Sequence, residues 1–346
     1  MAVTDRVRPQ SAAGQVPPDD TKGVRRLAFS QQVSKWDVKL SPYLYISPFF
    51  ILFAVTGLFP LVYTAWVSLH NWNLIGGQGK FTGLENYAFV VAQPYFWNAV
   101  GNTFSIFILS SVPQVVIALV IAAVLDANLR ARTFWRMGVL VPFVVAPVAV
   151  GLIFNNLFAD QFGLINEMLK AAGLDPVRWH SDSVASHLAI ATMVNFRWTG
   201  YNALIFLAAM QAIPRDVFEA ATIDGAGRLR QFFSVTVPML RPTVIFVVIT
   251  STIGGLQIFT EPRLFDPASA GGSQRQFQTT VLYLWEMAFQ RQNFGKASTI
   301  AWLLFLIIVL FGVINYLISR RIATADAAKP SRSIRRARER AERTTR

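Results

Sequence analysis

The sequence predicts an all-α polytopic membrane protein: six transmembrane helices with a cytoplasmic helix-turn-helix insert. Three observations predict it. First, 53% of the 346 residues are hydrophobic and only 15% are charged, with a mean hydropathy of +0.41; soluble domains carry about a quarter charged residues. Second, six apolar runs reach the roughly 20 helical residues that a ~30 Å hydrocarbon layer requires. Third, a polar segment at about residues 211–242 separates the fourth run from the fifth.

The runs, in order, are Tyr43–Leu69, Ala99–Leu125, Met137–Phe158, Val184–Met210, Thr243–Thr260 and Ser298–Ile318. Pro142 and Pro147 fall in the third and are expected to kink it. Gly254 and Gly255 interrupt the fifth; such pairs line a cavity or pack tightly against a neighbour. Trp66, Trp72, Tyr87, Tyr95 and Trp97 lie near the expected interfaces, where amphipathic rings anchor. Residues Thr279–Phe289 are expected to form a short interfacial helix. The chain thus divides into a basic N-terminal segment, 1–42, a transmembrane domain, 43–318, and a basic tail, 319–346.

Charge sets the orientation. Ten of the 28 residues after Ile318 are Lys or Arg, as are seven of the first 42. With the 126-to-136 loop and the insert, this side collects 24 basic residues against seven on the other, Arg197 lying within a run. Both termini and the insert are therefore expected in the cytoplasm of a multi-pass plasma-membrane protein. The net charge of +13 is this flanking pattern, and no nucleic-acid motif accompanies it. The tail pairs Arg335 with Glu339 and Arg338 with Glu342 at i, i+4, which suits a solvated basic helix near anionic lipid. The polar start lacks an apolar core before a small-residue cleavage site, so no removable signal peptide is expected.

The insert reads E-A-A-T-I-D-G-A-G from Glu219 to Gly227. Glu219 to Ile223 suit a short helix, Gly225 suits the left-handed residue that ends it, and a second helix restarts near Arg228. Val217, Phe218, Ala221 and Phe232 supply apolar contacts. Such a segment is either an inert connection or a docking surface, and spaced apolar residues rimmed by charge favour docking.

These residues carry a resemblance. Glu219-Ala220-Ala221, Gly225, then Val235, Val237 and Pro238 resemble the E-A-A signature of binding-protein-dependent ABC importer permeases, with valine at two positions that are usually isoleucine and leucine. S-L-H-N-W-N from Ser68, F-T-G-L-E-N-Y from Phe81, A-I-P from Ala212, I-D-G-A from Ile223 and F-G-K-A-S-T-I-A-W from Phe294 are similar to the maltose and glycerol-3-phosphate type of carbohydrate permease. The resemblance spans roughly residues 40–320. It implies that the insert seats in a cleft of a separate ATPase: Glu219 orients the joint, Ala220 and Ala221 keep it close, Gly225 permits the bend, and Asp224 and Pro238 belong to the same coupling motif. The implied partners are a second permease, a cytoplasmic ABC ATPase dimer, an extracytoplasmic sugar-binding protein and membrane lipid. L-Q-I-F-T-E-P from Leu256 and G-G-S-Q-R-Q-F-Q look most like permeases for β-linked disaccharides such as cellobiose.

The chain itself has no phosphate-binding loop: Gly79-Lys80 is followed by Phe81 and Gly295-Lys296 by Ala297, neither with glycine five positions earlier. ATP and Mg are therefore expected in the partner, with no cofactor bound here and no catalytic residue. In the fourth run Asn195, Arg197, Trp198, Tyr201 and Asn202, and in the fifth Thr250, Gly254 and Gln257, recur at helical spacing. They line a sugar pathway or bond helices together; the resemblance places the sugar on the helices flanking the insert. Arg197, which would cost about 3 kcal/mol unpaired at mid-depth, faces the pathway, pairs with a partner subunit or snorkels.

His180 and His187 near Asp182 lack metal-ligand spacing and read as a solvated outer loop. No cysteine is present, which excludes disulfides and thiolate chemistry. An ion-coupled secondary transporter is the alternative; it needs acidic residues within its spans, whereas Asp126 and Glu261 lie only at span ends. A lipid-directed membrane enzyme would need clustered His, Asp or Glu at one depth, and none is present.

Overall fold

The computed structural model describes residues 38–127, 130–266 and 270–327, with side chains to 318. The segment 1–37 and the tail 328–346, including the expected Arg335–Glu339 and Arg338–Glu342 pairs, lie outside the described residues. Two compact units divide at Tyr63 and Thr64. The described part of the first is helical, and its stacked rings Phe49–Phe53 and Phe59–Tyr63 are spaced i, i+4. Its apolar side chains are mostly exposed, as in a helix that meets hydrocarbon.

The elements are α1 (Val38–Ser68), β1 (His70–Asn73), β2 (Gly77–Phe81), α2 (Glu85–Ala92), α3 (Pro94–Asp126), α4 (Arg132–Val144), α5 (Pro147–Leu157), α6 (Leu164–Ala171), α7 (Ser183–Gln211), α8 (Arg215–Ile223), α9 (Arg228–Met239), α10 (Arg241–Leu256), α11 (Thr260–Phe265), α12 (Thr280–Trp285) and α13 (Phe294–Ala327). The small sheet is an antiparallel hairpin pairing His70 with Phe81 and Trp72 with Gln78.

Among the described residues, Val38–Ser68, Pro94–Asp126 and Phe294–Ile318 are long and apolar enough to cross a membrane by length and composition. Two bent pairs, α4 with α5 and α9 with α10, raise this to five if each is one crossing. Helix α7, 29 residues long, has the length for a further crossing but a polar middle.

The third run bends where a kink was expected, at Pro147. It is two helices, bent by 85° between Val144 and Pro147. Pro147 opens α5, and Ala146 before it is extended, with ψ 131°, because a residue preceding proline is pushed out of the helical region. Pro142 lies inside α4 without ending it. The fifth is shorter than expected: α10 stops at Leu256. It meets α9 at a 67° bend at Leu240, which precedes Arg241, the first residue of α10.

The core forms where α3 crosses α7. Small residues on one face, Ala118 and Ala122 from α3 and Ala203 from α7, admit Phe206, Leu207 and Met210, with Leu240 and Val247 closing the cluster. Gly200 lets α4 approach: a Cβ there would lie 1.8 Å from the Val139 carbonyl oxygen. A second cluster, Ile106, Val150, Phe154, Ile190, Met193, Phe265 and Phe277, joins α3, α5, α7 and α11. These packings hold α7 between the elements that form the sites below.

Candidate functional site

The polar insert folds as helix, glycine, helix. Helix α8 ends in a Schellman motif: Ala226 N–H donates to Ala221 O at 2.9 Å and Gly225 N–H to Thr222 O at 3.0 Å. That closure needs a left-handed residue, and Gly225 has φ +75°. Gln231 of α9 reaches back across the bend, its Nε2 donating to Thr222 Oγ1 at 3.0 Å and to Ala226 O at 2.9 Å. A π-helical turn, Phe232–Thr236, then leads through Pro238 towards α10.

No residue of α8 is buried. Glu219, Ala220, Asp224 and Gly225 are exposed, and Ala221 and Pro238 are half-buried. Glu219 makes no ion pair among the described residues. The apolar contacts expected from Val217, Phe218 and Phe232 are half-buried; three others face outward, Ile223 at 86% exposure, Leu229 at 77% and Phe233 at 67%.

The second feature is a cavity of about 350 Å³ between α3, α7, α10 and α11. Arg197, Trp198, Tyr201, Asn202, Thr250, Gly254 and Gln257 all line it. Asn195 does not; its Oδ1 is buried without a hydrogen-bond partner among the described residues. Phe143 stacks on Tyr201 at 4.9 Å and meets Trp198 edge-on at 5.3 Å. Asn202 Nδ2 donates to Gln114 Oε1 at 2.9 Å, so this amide bonds α7 to α3 while bordering the cavity. The paired glycines divide their roles. Gly254 has open space where a Cβ would stand, whereas at Gly255 a Cβ would meet the Phe107 ring at 2.5 Å.

Arg197 is paired within the chain. Its Nη1 donates to Glu261 Oε1 at 2.7 Å, with the two side chains 11% and 8% exposed. The partner lies 64 positions away on α11, so local spacing gave no sign of it. The expectation that Glu261 stands merely at a span end is corrected: the turn after Leu256 returns it to the cavity wall, buried. The solvated-loop expectation for His187 is corrected too. It lies on α7, 5% exposed, hydrogen-bonded to Ser105 Oγ at 2.8 Å and Gln276 O at 2.9 Å. His180 stacks on Phe265 at 4.3 Å.

Residues 88–324 match the family described as "Binding-protein-dependent transport system inner membrane component". The chain belongs to this family. The permease is 32% identical over 285 residues to the lactose transport system permease protein of Rhizobium radiobacter, covering 80% of this chain and 93% of that one. It is also 32% identical over 277 residues to an arabinooligosaccharides transport system permease protein of Halalkalibacterium halodurans, covering 80% and 86%. A chain of a bacterial alginate ABC transporter, solved with an alginate pentasaccharide-bound periplasmic protein, shares the fold at a TM-score of 0.71 and 18% identity, over 84% of this chain and 97% of that one.

Three separated motifs of the permease meet in one cap. Asn86 Nδ2 donates to Ser68 O at 2.9 Å and His70 O at 3.0 Å. At Gly295 a Cβ would stand 2.3 Å from the His70 carbonyl oxygen, so the glycine of F-G-K-A admits the hairpin. Beside it Glu286, its side chain 5% exposed, accepts from Arg275 Nη1 at 2.7 Å and Nη2 at 2.8 Å, Gln278 Nε2 at 2.8 Å and Arg291 Nε at 3.0 Å. Burial pushes this carboxyl up, but these donors outweigh burial and hold its pKa below the ordinary carboxylate value. The short helix expected over Thr279–Phe289 forms as α12 with the π-helical turn Glu286–Gln290, and it buries Thr280, Leu282 and Tyr283 in the cap.

Proposed function

We propose that this chain is the membrane-spanning permease subunit of an ATP-driven sugar importer. It crosses the membrane six times, with α7 and the two bent pairs completing the set, and both termini and the insert face the cytoplasm. The insert acts as a coupling helix-turn-helix gripped by a separate ABC ATPase dimer, which uses ATP and Mg; this chain binds neither and catalyses nothing itself. The cap faces outward and receives a sugar-loaded binding protein, and a second related permease completes the pathway.

One observation carries this reading: the insert is bent at Gly225 and presents Ile223, Leu229 and Phe233 uncovered. Exposed apolar residues rimmed by charge mark a surface suited to a partner. Glu219, Ala220, Ala221, Asp224 and Pro238 would frame the joint.

The cavity supports sugar as the cargo. Its volume falls in the range of small-ligand pockets, and it combines rings that stack on C–H faces with amide and hydroxyl groups that pair with sugar hydroxyls. The relatives named for lactose and arabinooligosaccharides agree with a di- or oligosaccharide; cellobiose is the first to test. Glu261, a buried acid at the cavity, is the observation that would favour ion coupling, but it is tied to Arg197. Uptake into proteoliposomes separates the readings. An importer stops when the partner ATPase is inactivated and continues with an uncoupler while ATP lasts; the opposite pattern would establish the ion-coupled transporter.

A further inference from the structure

We infer that the Arg197–Glu261 pair sets the charge class of the cargo: the cavity takes neutral saccharides and rejects acidic ones such as uronates and aldonates. This rests on the reading of the cavity as the sugar pathway. Among the residues lining the cavity Arg197 is the one cation and Glu261 the one anion. They neutralise each other at 2.7 Å, both nearly buried. The rest of the lining is uncharged: Ser110, Ser111, Gln114, Asn202, Thr250 and Gln257 among its polar members.

An entering carboxylate would lose its hydration and find the only guanidinium already engaged by a carboxylate. It would have to displace Glu261 or share Arg197, whose Nε has no hydrogen-bond partner among the described residues, and either arrangement leaves one negative charge uncompensated in a nearly buried site. A hydroxyl-rich neutral ring meets no such conflict. It stacks on Trp198 or Tyr201, which are 38% and 40% exposed, and exchanges hydrogen bonds with the amides and hydroxyls. The sequence hides this device, because Arg197 read alone shows a cation with no local partner. The partner that cancels it comes from another helix.

The test measures equilibrium binding to the assembled importer in nanodiscs without its binding protein, so that only the permease selects. The probes are cellobiose, lactose and maltose, each against its aldonate. The wild type is expected to bind at least one neutral disaccharide about tenfold or more tightly than its aldonate. Glu261→Gln, which frees the guanidinium, is expected to move that ratio about tenfold or more towards the aldonate. The double variant Arg197→Gln/Glu261→Gln, which leaves no charge unpaired, keeps the neutral preference. Equal binding of sugar and aldonate by the wild type overturns the inference whether or not the variants assemble, as does an unchanged ratio in an assembled Glu261→Gln importer. Binding of none of the six probes by an assembled wild-type importer overturns the sugar reading of the cavity and the inference with it.

Discussion

Two exposed glycines two positions apart offer a matched test of the insert's bend. A Cβ at Gly225 or at Gly227 meets nothing within 4 Å, so neither substitution creates a clash. Only the backbone differs: φ is +75° at Gly225 and −65° at Gly227. A side chain in the left-handed region costs about 1–2 kcal/mol, whereas serine at Gly227, the residue before α9, is a preferred helix cap. Gly225→Ser is therefore expected to shift the bent insert towards unbent forms by about 5- to 30-fold, and Gly227→Ser to be neutral. Asparagine tolerates the left-handed region, so Gly225→Asn should recover much of the loss. The assay is affinity of the purified permease for its ATPase, paralleled by ATP-driven uptake. If the two serine variants behave alike, or asparagine is as damaging as serine at Gly225, the geometric account of this joint is wrong.

Other outcomes follow from the packing. Glu261→Ala strands the Arg197 charge in a nearly buried site and is expected to lower stability by about 3–5 kcal/mol; thermal unfolding of the purified protein checks this, and Arg197→Met/Glu261→Met should cost less. Gly200→Ala forces Val139 backbone on α4 away from α7, a loss of about 1–3 kcal/mol, while Gly254→Ala, with open space at its Cβ, should leave unfolding unchanged. Glu286 has a depressed folded pKa, so its contribution is complete above the unfolded carboxylate value of about 4.3. It is lost as pH falls through the folded value. Protease resistance of the cap should fall on acidification in the wild type, and Glu286→Gln should show a weaker cap at neutral pH with a smaller acid dependence.

Much of the scaffold was legible because hydrocarbon imposes long apolar runs. The second, fourth and sixth runs fall within α3, α7 and α13; Pro113 lies inside α3 without ending it. The third run misled because Pro147 turns the chain without interrupting its hydrophobicity, and the fifth overran at its far end, where α10 stops at Leu256 while apolar residues continue through Ile258 and Phe259. The insert was legible at Gly225, where a single residue type meets a backbone requirement. Its outward apolar residues were not, because Val217 and Phe218 look no different from Ile223 and Leu229 until the bend sets their directions. The pathway residues on α7 and α10 could be anticipated from helical spacing. Partners from distant elements, Glu261 for Arg197 and Gln114 for Asn202, could not, since no local period relates them.

Access to Ile223 tests the central claim most directly. The chain has no cysteine, so Ile223→Cys supplies a single thiol at a site 86% exposed. With a membrane-impermeant maleimide, the account predicts labelling only from the cytoplasmic face, strong when the ATPase is stripped away and suppressed when it is restored. Labelling from the outer face, or labelling that the ATPase does not change, would contradict it.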